Sequence, residues 1–260
     1  MRIVSLACSN TEIVAALGAG HLLVGVDSHS DHPPELLEGL PRVGPDLEID
    51  VDQVVALKPD LVLASLTVPG HETVVEGMEA AGVPLLTLAP ESLADVPFSV
   101  ERIGEAIGYT DRATELAAQL RETFRLGESG SERPTPSGPS ILIQWWPKPV
   151  ISPGARSWIH DLLALAGATH PLAGEHVLSR PLDDDEVAAA DPDAIVISWC
   201  GVDPSKYRPD VVYRNPAFQH VKAIRNRQVH RIPEAFLGRP GPRLLDGLRA
   251  LRDVAAGTAG

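Results

Sequence analysis

Two stretches of this 260-residue chain repeat one another without a gap: IDVDQVVALKPDLVLAS at 49–65 and LDDDEVAAADPDAIVIS at 182–198. They share Asp50/Asp183, Asp52/Asp185, Val54/Val187, Ala56/Ala189, Pro59/Pro192, Asp60/Asp193 and Ser65/Ser198. Each copy reads as an acidic helix start, where Asp caps unpaired backbone N–H groups. A short apolar helix follows, then a Pro-Asp turn that stops it, then an aliphatic run suited to a buried parallel strand. The repeat continues upstream, where Ile3-Val4-Ser5-Leu6 is matched by Ile141-Leu142-Ile143-Gln144. In the first copy Ser9 and Glu12 have the spacing of a capping box, and Gly18 closes the helix. In the second, a helix is expected from near Ser157 to Gly167. Such a chain is constrained to two sibling halves, and the alternation predicts an α/β fold of two Rossmann-like lobes with parallel sheets.

Between the copies, Ser92 to Leu126 is helical in pattern and broken near Gly108. From Asp111 onward Ala113, Leu116, Ala117, Leu120 and Phe124 recur at helical spacing, giving a helix about 24 Å long. GESGSERPTPSGP, 127–139, reads as a linker or exposed loop. The expected division is therefore an N-terminal lobe at 1–110, one long connecting α-helix at 111–126, the linker at 127–139, and a C-terminal lobe at 140–260. Ligands of α/β folds sit beyond the carboxyl ends of the strands, so two facing lobes are expected to enclose a shared cleft.

Acidic residues outnumber basic ones 35 to 22, a formal net charge of -13. A body of that sign repels phosphate backbones, and no local basic patch offsets it, so nucleic acid is excluded as a partner. Two cysteines, Cys8 and Cys200, cannot build a disulfide framework or a multi-Cys metal site. No apolar run approaches the ~18 residues that span a bilayer, so the chain is not membrane-embedded. Ser5-Leu6-Ala7-Cys8 loosely resembles a lipoprotein cleavage site, but the apolar stretch ahead of it is shorter than the roughly 7 to 15 residues of a signal core. A cytoplasmic protein and a trimmed mature extracytoplasmic form both agree with that.

SLACSNTEIVAALGAG-HLLVGVDSHSDHPPE, VALKPDLVLAS and AAGVPLL resemble the substrate-binding proteins of ABC importers for cobalamin, haem and iron-siderophores. WWPKPVISPG, LLALAGA, DPDAIVIS, AIRNRQVHRI and GRPGPRLLDGL in the second half resemble the cobalamin-binding branch. The resemblance implies two α/β lobes bridged by one long helix, the class III, chelatase-like plan. It places Trp145, with Trp146 beside it, at the family's aromatic after the first strand of the second lobe. Arg239 falls at a cleft-facing arginine, with Phe236 in the preceding aromatic position. The family's opening S-L-x-P-S motif maps onto Ser5 to Ser9, with Cys8 in place of its proline and Ser9 at its end. His29 and His32 stand where cobalamin binders often carry tyrosines, and Ser65 replaces a frequent tryptophan. Glu72 falls where one lobe's permease-docking carboxylate is expected; from Val187 to Pro233 there is no Glu, with Asp203 and Asp210 as substitutes.

Each candidate admits two readings. Three of the four tryptophans, Trp145, Trp146 and Trp199, follow predicted strands, where flat indoles suit a planar macrocycle; the alternative is core packing. Trp158 is expected in the core. His29 or His32 can offer a neutral imidazole as an axial donor to a tetrapyrrole metal, or sit solvated in a loop. The cysteines are small buried hydrophobes, or metal-binding and nucleophilic thiolates. Arg239 can donate hydrogen bonds to a ligand rim, or serve the entry to the terminal helix.

The resulting expectation is a non-enzymatic, monomeric binding protein for cobalamin or a related corrinoid. It carries no intrinsic cofactor and no metal of its own; an ABC permease would be its partner if it is exported, and a cytoplasmic homologue that stays inside would be a corrinoid carrier or sensor. A haem or iron-siderophore binder differs only in ligand. The alternative from another class is a tetrapyrrole metal chelatase, which would use His29, His32 or His71 with Asp31 or Glu72 as acid and base.

Overall fold

The computed structural model describes residues 1–126 and 138–258. Within the expected linker at 127–139, residues 127–137 lie outside the described residues. Contacts divide the chain into two compact units: Met1–Pro90 with Ala94–Arg125, and Glu91–Leu93 with Leu126–Gly260.

The first unit runs β1 (Ile3–Ser5), α1 (Cys8–Ala16), β2 (Leu23–Val26), α2 (Pro34–Leu37), α3 (Val51–Ala56), β3 (Leu61–Ser65), α4 (His71–Ala80), β4 (Leu85–Leu88), α5 (Asp95–Ile107) and α6 (Thr110–Thr123). Its four strands lie in the order β2-β1-β3-β4, all parallel. The central pair is aliphatic and buried, as expected of strands covered on both faces. Asp50 caps α3, its carboxylate accepting from Gln53 N–H at 3.0 Å.

The buried stripe of α6, Ala113, Ala117 and Leu120, belongs to the first unit, where α6 packs on α5. Gly104 sets how closely they approach, because a Cβ there would stand 2.1 Å from the Cβ of Ala113. Arg121 clamps the pair with two bonds of 2.7 Å to Glu101. At 14 residues the helix is about 21 Å long.

The second unit runs β5 (Ile141–Gln144), β6 (Trp146–Pro147), β7 (Val150–Pro153), α7 (Ile159–Leu165), β8 (Ser179–Leu182), α8 (Asp184–Ala190), β9 (Ala194–Ile197), α9 (Pro209–Tyr213), α10 (Lys222–Arg225), β10 (Val229–Arg231), α11 (Glu234–Leu237) and α12 (Leu244–Thr258). β5, β9 and β10 form a parallel sheet in the order β10-β9-β5. The duplication extends to register: Ile3 pairs with Leu61 in one unit and Ile141 with Ala194 in the other, positions the repeat aligns. Asp183 and Glu186 complete a reciprocal capping box at α8.

Two local expectations are corrected. α1 begins at Cys8 with Ala7 as its N-cap, so Ser9 lies inside the first turn and no Ser9–Glu12 capping box forms. The polar side chains of that turn are buried and engaged elsewhere: Asn10 donates to the Ala64 carbonyl at 3.0 Å and Thr11 to Ser5 Oγ at 2.8 Å. The second unit also holds an antiparallel sheet, β6-β7-β8, which the repeat did not announce. It attaches to β5 through Trp145 N–H donating to the Ile151 carbonyl at 2.8 Å and Ser152 Oγ donating to the Ile143 carbonyl at 2.6 Å.

Candidate functional site

In the first unit the parallel strands deliver their following loops to one end of the sheet. Asp27, just past β2 and fully buried, organises this end. Its carboxylate accepts from His29 N–H at 2.8 Å, Ser30 N–H at 3.0 Å, Ser30 Oγ at 2.5 Å and Cys8 Sγ at 3.6 Å. Thr11 Oγ1 joins Ser30 Oγ at 2.9 Å, closing a buried polar network onto α1. Arg42 ties the same loop down by donating to the carbonyls of Asp27 and Ser30.

This network decides where the sequence candidates point. Cys8 is half-buried, with its thiol donating to Asp27. Ser9 and Ser65 are buried, the latter sharing a 3.0 Å hydrogen bond with Thr67. His29 and His32 are exposed. Glu72 is exposed at the start of α4, where its carboxylate accepts from Gly70 N–H at 2.8 Å; its own backbone N–H, and then that of Gly70, hold its pKa below the usual value.

The folded loops add a group that the sequence did not single out. Asp46, in the segment between β2 and α3, stands between two imidazoles. His71 Nε2 faces its Oδ2 at 3.5 Å and His29 Nε2 faces its Oδ1 at 3.8 Å. His71 is buried, and its Nδ1 accepts from Val68 N–H at 3.4 Å, which puts the proton of the neutral ring on the nitrogen facing Asp46. The neighbouring His71 side chain holds the Asp46 carboxyl below its ordinary pKa, against the opposing effect of partial burial. Nothing in the local pattern Gly44-Pro45-Asp46-Leu47 marks Asp46, since its partners lie 17 and 25 residues away and are brought in by the sheet.

In the second unit the three strand-end tryptophans separate. Trp146, on β6, is 41 % exposed. Trp145 is half-buried beside the core residue Trp158, with ring centroids 6.5 Å apart. Its Nε1 is buried with no hydrogen-bond partner among the described residues. Trp199 is only 6 % exposed and belongs to the core cluster of its unit. Its indole packs against Tyr207 at 5.6 Å between centroids and its Nε1 donates to Gln144 Oε1 at 3.0 Å. Trp199 is thus packed in the core of its unit beside Tyr207.

Arg239 is 7 % exposed and bonded to Glu234 at 3.0 Å. Phe236 is half-buried, with the Arg243 guanidinium 4.9 Å from its ring centre. Tyr207 links the two segments, accepting from Glu234 N–H and donating to the Trp199 carbonyl, each at 3.1 Å. Burial pushes the Tyr207 phenol up to about 12. Cys200 is exposed.

Among the described residues no group of three or more His, Cys, Asp or Glu side chains is placed to hold a metal ion. His29 and His71 engage different oxygens of Asp46 rather than converging on one point. No helix among those residues is long and apolar enough to cross a membrane.

Comparison with known proteins agrees with this architecture. The chain is 28% identical over 256 residues to the uncharacterised ABC transporter substrate-binding lipoprotein YvrC of Bacillus subtilis, covering 97% of this chain and 79% of that protein. It is 26% identical over 245 residues to a vitamin B12-binding protein of Pectobacterium carotovorum, covering 94% and 84%. Among solved structures, the apo periplasmic heme-binding protein RhuT of Roseiflexus sp. RS-1 superposes with a TM-score of 0.81 at 28% identity, covering 100% of this chain and 99% of that one. A family model described as periplasmic binding protein matches residues 3–236, and the chain belongs to that family.

Proposed function

We propose that this protein is the substrate-binding component of an ABC importer and that its ligand is cobalamin or a related corrinoid. The observation that carries the reading is the near full-length similarity to a vitamin B12-binding protein. Trp146 supplies an exposed indole surface for a planar macrocycle, and Trp145 brings an indole N–H that has no protein acceptor among the described residues. On the first unit, His29 and His32 are exposed imidazoles in the loop after β2, proposed to reach a metal-centred ligand. Glu72 is the carboxylate proposed to meet a basic residue of a permease.

A second reading is haem as the ligand, favoured by the 28% identity to RhuT. Both readings are of binding, as the named relatives are, and neither assigns a catalytic residue. Titrating the protein with aquocobalamin and with haemin, followed by visible absorbance and tryptophan fluorescence, tests them. Saturable change with the corrinoid at lower concentration supports the first. Tighter haemin binding replaces it with the second, and metal insertion into a free-base tetrapyrrole would mean a chelatase.

A further inference from the structure

Three segments near the strand ends of the first unit contain neither Lys nor Arg. This holds for Asp27–Pro33, for the segment from Gly44 to Asp50, and for Leu66–Gly70. From Gly44 to Glu101 the chain has a single basic residue, Lys58. At this end Asp46 exposes 35 % of its side chain, and its ion-pair partners among the described residues are the two imidazoles. Leu47 and Val68 lie alongside, 46 % and 38 % exposed. The result is apolar surface fringed by a carboxylate that stays ionised at neutral pH, whose ion-pair partners among the described residues are imidazoles, while the Arg42 guanidinium is engaged by the Asp27 and Ser30 carbonyls.

We propose that Asp46 is a specificity-determining residue that admits a macrocycle rimmed by carboxamides and rejects one rimmed by carboxylates. Apolar contact at Leu47 and Val68 does not distinguish such ligands. An amide N–H donates to the Asp46 carboxylate, whereas a ligand carboxylate placed there meets like charge. Discrimination of this kind comes from the repulsive element as much as from the attractive one. The inference rests on the proposed binding of a metal-centred macrocycle and adds which rim chemistry is selected.

The test uses two probes with the same ring and metal: cobinamide, whose rim carries amides, and cobyrinate, in which those amides are hydrolysed to carboxylates. Affinities are measured by fluorescence titration for the full chain and for Asp46→Asn and Asp46→Lys, with thermal unfolding as a check that each variant is folded. The wild type is expected to prefer cobinamide. Asp46→Asn is expected to narrow that preference by about fivefold to tenfold, and Asp46→Lys by more, because a half-exposed like-charge contact is worth roughly that factor. If both probes bind and the preference is the same in all three proteins, the assignment of Asp46 is wrong. If the wild type binds neither probe, the corrinoid reading itself fails, and the selection by Asp46 with it.

Discussion

Asp60 and Asp193 hold the same post in the two units. Asp60 Oδ2 accepts from the backbone N–H of Arg2 at 2.6 Å, and Asp193 Oδ2 from that of Ser140 at 2.8 Å. Arg2 and Ser140 immediately precede the first strand of each unit, and their carbonyls accept in turn from Asp60 N–H and Asp193 N–H at 2.8 Å. The residues two positions earlier, Lys58 and Asp191, both adopt a left-handed backbone, with φ of 48° and 41°. The Pro-Asp turn therefore ends a helix and also pins the start of a neighbouring strand.

Removing that carboxylate should loosen strand pairing. Asp193→Ala is expected to lower stability by about 1 kcal/mol, the usual worth of such a bond, and Asp193→Asn by less because an acceptor oxygen remains. Asp60→Ala should cost less than Asp193→Ala, since Asp60 is the more solvated of the two. Urea unfolding of the three variants decides this; equal loss in Asp193→Ala and Asp193→Asn would mean charge, not acceptance, is what counts.

Gly104→Ala should destabilise the α5–α6 pair by about 1–3 kcal/mol through overpacking against Ala113. The double substitution Gly104→Ala with Ala113→Gly should recover part of the loss. A double variant no more stable than Gly104→Ala alone would rule out this contact as the cause.

Trp199 and Trp146 should separate stability from binding. Trp199→Phe removes the donor to Gln144 inside the core and is expected to lower stability by about 1–2 kcal/mol. Trp146→Ala, on an exposed ring, should leave the unfolding midpoint nearly unchanged and weaken macrocycle binding by at least about fivefold. Reversed outcomes would mean that ligand contact comes from Trp199.

Breaking the Arg239–Glu234 pair by Arg239→Met should be costly, because Glu234 would keep a largely buried charge without that partner. Loss of about 2–4 kcal/mol is expected on those grounds, and Glu234→Gln with Arg239→Met should restore part of it. Loss of ligand affinity at full stability would instead place Arg239 on the ligand.

Stability should rise with pH between about 5 and 6.5. Burial, reinforced by His160, holds the His170 pKa well below its ordinary 6.5, and burial also lowers that of His230. In that window the unfolded chain binds protons that the native state does not, so the contribution is complete above 6.5 and is lost as pH falls. Asp46, Glu91 and Glu101, whose pKa values are lowered by His71, Arg156 and Arg121, extend the loss at lower pH. Urea midpoints at pH 5.5 and 7.5 should differ in the wild type, with a smaller difference in His170→Gln; an equal difference in both would exclude His170 as a source.

By itself the sequence determined the duplicated α/β units, the buried strands, the Asp50 and Asp183 caps, and the glycines Gly18 and Gly167 that end helices with positive φ. These follow from periodicity and backbone preference, which act over a few residues and are written locally. Only the tertiary structure decided the fate of individual side chains. Ser9 became a buried helical residue, Trp199 a core residue on Tyr207, and Arg239 the partner of Glu234, while Asp46 met His29 and His71. Those choices depend on which distant segments the sheet brings together and on how much room and solvent remain there, and no local pattern carries that information.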